Sequence, residues 1–158
     1  MAVYVLDSNT ISSFQFYYED IFPSFWRALD ELVIEERVVS TDQVRLELGN
    51  KFREESLVGK WVNRNRSLFP VPSELELEFV ASIFRVRHFQ QLLGNKERLR
   101  PQPLADPFVI AKAGVIGGCV VTQEVFKPNA AKIPNVCQHF NIDCIDLEEF
   151  LRRESFEF

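Results

Sequence analysis

The chain has 158 residues, 46% of them hydrophobic and 15 of them Phe, enough for one domain with a sizeable core. Its net charge of −5 argues against a passive, uniformly basic nucleic-acid binder. No apolar run approaches the roughly 20 residues of a membrane span and no secretory leader is expected, so the three cysteines, Cys119, Cys137 and Cys144, fit small buried hydrophobes in a reducing cytoplasm. They form no CxxC pair. Cys137 and His139 would make half a zinc site, for which the sequence offers no second half.

In chain order, Val3 to Leu6 is apolar on both alternating faces and predicts a central parallel strand. A helix-like pattern covers Thr10 to Tyr18. Pro23 opens a helix to about Arg37, with Phe25, Leu29, Leu32 and Val33 near one face. Val38 to Ser40 reads as a second strand, and Thr41 caps a helix ending at Gly49. Phe52 to Leu68 predicts a helix with Trp61 on its buried side, broken by Phe69-Pro70-Val71-Pro72. Ser73 with Glu76 makes a capping box for a helix to about Leu93. Gly94-Asn95 ends it, and Pro101 and Pro103 predict extended chain. Ala105 to Ala113 is a short helix, Gly117-Gly118 leads into a strand from Cys119 to Thr122, and Pro134 opens a helix through His139. Ile142 to Ile145 is a last strand, and Asp146 with Glu149 caps a C-terminal helix. Strands alternating with helices predict an α/β layered fold with a parallel sheet, as one domain over residues 1–158.

Four carboxylates sit at element ends, where such a sheet presents ligand-binding groups. Asp7 ends the first strand. Glu47 lies on the helix after the second. Asp106 starts the helix "ADPFVIAKA". Glu124 follows the strand before it in "VVTQE". Taken singly, Asp106 reads as a helix cap, Glu47 as a surface acid and Glu124 as a loop acid. Asp7 is harder to explain away, because a carboxylate beside a buried strand is costly unless paired or bound to a metal. A ring of acids without a His or Cys cluster suits Mg²⁺ or Mn²⁺, which clamp phosphodiester oxygens and activate water. Basic stretches are available to hold a phosphate backbone. Arg45 to Arg66 carries six Lys or Arg against three Glu, and Arg85 to Arg100 five against one. Two solvated helical faces would explain them equally well.

These stretches resemble the PIN domain, the metal-dependent ribonuclease fold of many toxin–antitoxin toxins. "VLDSNTI" resembles the opening strand with its Asp, "VRLEL" the helical Glu motif, "ADPFVIAKA" the third motif and "VVTQE" the fourth. "KIPNVCQHFNIDCIDLEEFL" resembles the closing helix–strand–helix of a bacterial and archaeal subgroup. The resemblance implies a three-layer α/β/α sandwich with a mainly parallel sheet. It implies an endoribonuclease that uses Mg²⁺ or Mn²⁺ held by Asp7, Glu47 and Asp106, with Glu124 as a fourth candidate catalytic and metal-binding acid, leaving a 5′-phosphate and a 3′-hydroxyl. Glu124 stands where the family usually has Asp. Its extra methylene moves the carboxylate outward by about 1 Å or more, so a role through water is expected in place of direct ligation. Asn9 and Thr122 are expected to orient a neighbouring carboxylate or water, or to be turn and cap residues. Lys112 is expected to be a solvated helix charge. The implied partners are an RNA substrate and a cognate antitoxin protein, with a homodimer as a further arrangement and no membrane. Two rivals are a non-catalytic PIN-like module binding RNA or protein, and a haloacid-dehalogenase-like phosphatase. The second needs an acid two residues after Asp7, where this chain has Asn9.

Overall fold

In a computed structural model, which describes residues 1–93 and 104–158, four short strands form one sheet in the order β2-β1-β3-β4. They are β1 (Tyr4–Leu6), β2 (Val38–Val39), β3 (Cys119–Val121) and β4 (Cys144–Ile145). All pairings are parallel. Tyr4 lies opposite Val38 on one side and Cys119 on the other, and Val120 opposite Cys144. Helices cover both faces, which gives a three-layer α/β/α sandwich. The central strands β1 and β3 are fully buried, which explains why they are apolar at every position. The expectations for Gly94-Asn95, Pro101 and Pro103 lie outside the described residues.

The helices are α1 (Ser8–Ser13), α2 (Pro23–Ile34), α3 (Asp42–Lys51), α4 (Leu57–Arg64), α5 (Glu74–Arg85), α6 (Ala105–Ile116), α7 (Ile133–His139) and α8 (Leu147–Arg153). Several start where the sequence places a cap. Thr41 accepts from Val44 N, and Ser73 and Glu76 close a reciprocal capping box. Pro23 opens α2, whose Phe25, Leu29 and Leu32 enter the core. Gly117 ends α6 with φ 67°, a left-handed turn that glycine adopts without strain.

Other boundaries differ from the sequence reading. The helix expected from Phe52 starts at Leu57, because Ser56 caps it by accepting from Gly59 N while Arg53 to Glu55 turn. Its Trp61 is buried, as expected, with its ring edge-on to Phe14 at 5.6 Å. The pattern after Thr10 is short: α1 gives way to a 3-10 turn, Phe14–Phe16. The helix from Ser73 likewise tightens after Arg85 into a 3-10 stretch, Arg87–Leu93. At α8, Asp146 accepts from Glu149 N, but the Glu149 carboxylate accepts from Arg153 Nε and does not return to the cap. Among the described residues no helix is long and apolar enough to cross a membrane.

Candidate active site

Strand order reverses across β1, since β1 leads to β2 on one side and pairs with β3 on the other. That reversal opens a crevice beyond the carboxyl ends of β1 and β3. Asp7 follows the last residue of β1. Its amide donates to Val121 O at 3.0 Å, so the strand end is tied to β3. Its carboxylate then does two local jobs. Oδ1 accepts from Ser8 N at 2.8 Å and caps α1, while Oδ2 accepts from Thr122 Oγ1 at 3.0 Å across the crevice. Thr122 in turn accepts from Asn9 Nδ2 at 3.3 Å and from Glu124 N at 3.2 Å. Asn9 Oδ1 accepts from Gln123 N at 2.9 Å. Asn9 and Thr122 thus stitch the end of β3 to the start of α1 and hold the Asp7 carboxylate in one orientation.

Glu47 arrives from α3. Ser8 Oγ donates to its Oε2 at 2.5 Å, so the residue after Asp7 fixes a second acid. Asp106 is the second residue of α6. Leu104 occupies the N-cap position, so Asp106 does not cap that helix. Glu124 Oε2 accepts from Ile133 N at 2.8 Å, which ties its carboxylate to the start of α7. The extra methylene that separates Glu from the expected Asp is what spans this gap.

Electrostatics bind the four acids into one unit. Asp7 is 2% exposed, and burial, with a contribution from the charges of Glu124 and Glu47, pushes its carboxyl up to about 7. The hydrogen bonds from Ser8 and Thr122 only partly offset this. Asp106 is pushed up to about 8, by burial first and then by Asp7, Glu124 and Glu47, against a modest pull from Lys132. The charges of Glu47 and Glu124 thus reach both Asp7 and Asp106, which brings acids from four separate segments into one electrostatic neighbourhood.

A family model described as Domain of unknown function (DUF4411) matches residues 4–158. The chain belongs to the DUF4411 family. No curated protein matches it. The span that defines its DUF4411 membership contains all four acids.

Among the described residues no three His, Cys, Asp or Glu side chains are already gathered as ligands of one ion. The donor set nevertheless fits a hard divalent cation. It is oxygen-only, and Asp7 and Asp106 hold their protons near neutrality because they are buried and share the site with other acids. The donors are held by hydrogen bonds to Ser8, Thr122 and Ile133, each of which leaves carboxylate lone pairs free.

Two residues behave differently from the sequence reading or escaped it. Lys112 is not a solvated charge. Its ammonium lies 3.5 Å from Glu76 Oε1, and both side chains are largely buried where α5 packs on α6. Glu76 therefore both closes the capping box and neutralises Lys112. Ser8 was not singled out, although its place after a strand-end Asp cap puts it in the first turn of α1. Its partner Glu47 lies 39 residues away, a pairing that only the folded chain reveals.

Proposed function

We propose that this chain is a PIN-like, Mg²⁺- or Mn²⁺-dependent endoribonuclease of the cytoplasm, the toxin of a toxin–antitoxin pair. The observation that carries the reading is the meeting of Asp7, Glu47, Asp106 and Glu124 at the switch point of a parallel sheet, with Asp7 and Asp106 pushed well above the ordinary carboxylate range. Such a site is unfavourable on its own and becomes favourable once a divalent cation and a phosphodiester enter. The toxin role and the antitoxin partner rest on the sequence resemblance.

Asp7, Asp106 and Glu47 would hold the cation, with Glu124 acting from its anchored position beside α7. When bound, the cation supplies charge neutralisation at the phosphodiester and lowers the pKa of water in the site. Thr122 fixes the rotation of the Asp7 carboxylate, and Ser8 holds Glu47 toward it. Lys132, exposed and close enough to affect Asp106, meets the phosphate backbone of the entering strand.

Purified chain is expected to cleave single-stranded RNA to 5′-phosphate products with Mg²⁺ or Mn²⁺, and to stop in EDTA. Full cleavage in EDTA by a preparation free of other nucleases would sink the metal-dependent reading. Absence of cleavage with either metal, alongside intact RNA binding, would favour the non-catalytic module. Co-expression with the small DNA-binding protein of a neighbouring gene is expected to suppress the activity.

A further inference from the structure

Beyond Glu124 the chain does something the acids do not require. Val125 and Phe126 stand out from the surface, 78% and 47% exposed, in the loop that leads to α7. An exposed aromatic on a loop beside a candidate active site gains nothing for the core. Phe126 instead forms a wall shared by three hollows. One, of about 330 Å³, is also lined by Thr122 and Glu124 and so adjoins the acids. A second, of about 380 Å³, reaches Phe89, and a third, of about 590 Å³, reaches Asp143 and Cys144.

The second hollow has a distinctive lining. Phe89, Phe126, His88 and His139 supply flat rings, and Asn129, Asn135 and Gln138 supply amides. Among the described residues no Asp, Glu, Lys or Arg side chain lines it. The rings are set by packing: Phe89 is buried and meets His139 edge-on at 5.1 Å. The loop is also fixed. Asn135 Nδ2 donates to Lys127 O at 2.7 Å, and its Oδ1 accepts from Lys127 N at 3.4 Å, a two-point clamp on the residue after Phe126. Asn129 takes φ 64°, a left-handed turn that Asn tolerates, and so closes the loop over the hollow. With Asn135 committed to the backbone, Asn129 and Gln138 keep their amide edges for a ligand.

Flat rings together with uncharged groups that both donate and accept suit a planar, neutral heterocycle edged with donors and acceptors. They do not suit a phosphate or a carboxylate, which would call for cations. Two cations stand outside: Lys127 and Lys132 are exposed on the same loop, and Lys132 is near enough to the acids to act on Asp106. We propose that the hollow is a nucleobase pocket, which receives one unpaired base of an RNA strand whose adjoining phosphate lies at the four acids. Phe126 is the stacking surface, Gln138 and Asn129 read the base edge, and Lys132 meets the phosphate between pocket and acids. The RNA and the direction of its path rest on the nuclease reading. The pocket makes it a single-strand enzyme with a preference for one base beside the cut, because a base inside a duplex has no free edge to offer.

The test is binding of fluorescein-labelled RNA octamers to the full chain in EDTA, where cleavage is blocked. The octamers are identical except for one central base, and one of them is also presented as a duplex. Single strands are expected to bind more tightly than the duplex, and one central base more tightly than the other three. Phe126→Ala should weaken every single strand by about tenfold, while Phe126→Trp keeps the affinity. Gln138→Ala should leave overall affinity nearly intact and compress the differences among the central bases. Both positions are exposed, so folding is expected to hold, and circular dichroism checks it. No single-strand binding by the wild-type chain overturns the pocket, as does Phe126→Ala binding like wild type or base differences unchanged in Gln138→Ala. Base-dependent binding without cleavage in Mn²⁺ would leave the pocket standing and remove the nuclease reading. Cleavage that is unchanged in rate and site in Phe126→Ala would do the reverse.

Discussion

The two ends of β1 treat a carboxylate in opposite ways. At the amino end, the hydroxyl of Tyr4 donates to Glu154 Oε2 at 2.6 Å, and Arg37 grips both oxygens of the same carboxylate at 2.7 Å each. Arg37 also donates to Ala2 O and lies 5.9 Å from the centre of the Tyr4 ring. Burial pushes Glu154 up, but the hydrogen bonds from Arg37 and Tyr4 outweigh it and leave the carboxyl below its ordinary value. At the carboxyl end, Asp7 is more deeply buried and feels the charges of Glu124 and Glu47, and its carboxyl rises. One end spends a cation to lock the last turn of the chain to the first strand. The other withholds one. The same rule of desolvation and pairing thus separates an end built for stability from an end built for something that has yet to bind.

Substitutions at the two ends should split activity from stability. Asp7→Asn is expected to lower RNA cleavage by about a thousandfold or more, since it removes a carboxylate that holds the metal. The metal-free melting temperature should stay level or rise, because Asn still accepts from Ser8 N and no longer repels its neighbours. Arg37→Ala should do the opposite, leaving cleavage per folded molecule intact while costing about 2 kcal/mol by taking from Glu154 both of its charged hydrogen bonds. Thermal melts in EDTA and initial rates on one RNA substrate read both effects. A steep fall in melting temperature for Asp7→Asn would make Asp7 a structural acceptor like Glu154 and erase the contrast.

Much of this contrast could be read before folding was considered, and the reason is distance along the chain. Asp7 is conspicuous because it interrupts a buried strand and caps the next helix, both of which are local events. Thr41 and the Ser73–Glu76 box are legible for the same reason. The layer order follows from strands that are apolar at every position. Glu154 is not legible, because its partners lie 117 and 150 residues away. Nor is the Lys112–Glu76 pair, which needs α5 laid on α6, nor the hollow between Phe89 and Phe126, which forms from segments that share no motif. The start of α4 was misplaced because helix-forming residues from Phe52 onward hide a turn that Ser56 ends by capping.

The two ends should also respond oppositely to pH. In the folded, metal-free chain Asp7 and Asp106 keep their protons up to about 7 and about 8, whereas their ordinary value is 3.8. Between those limits the folded state binds more protons than the unfolded one, so stability falls as pH rises through that window and the loss is complete above it. Glu154, lowered by its partners, works the other way. Its contribution is present above its ordinary value of 4.5 and is lost as pH falls through its depressed value. The melting temperature in EDTA is therefore expected to decline from about pH 5 to about pH 9. Asp7→Asn should flatten the decline, since it deletes one titration and relieves Asp106 as well. A wild-type profile that rises over this range, or a slope untouched by Asp7→Asn, would show that the acids do not carry it.

Glu124 belongs to the acidic end but borrows the logic of the other, because one of its oxygens already has a partner in Ile133 N. A side chain anchored to the backbone at the start of α7 is less free to move onto a cation than Asp106, whose carboxyl meets mainly other acids. Its longer chain also has one more torsion to fix than the Asp usual at this place in the PIN domains it resembles. Glu124→Gln keeps an oxygen for Ile133 N, so the fold should hold and only the charge is lost. Cleavage is then expected to fall by about tenfold, far less than for Asp106→Asn, and to recover in part at high Mn²⁺. The measurement is a metal titration of both variants on one RNA, with folding matched by circular dichroism. If Glu124→Gln is as dead as Asp106→Asn at every metal concentration, the carboxylate must leave Ile133 and bind the cation directly. If it is fully active, Glu124 serves α7 alone.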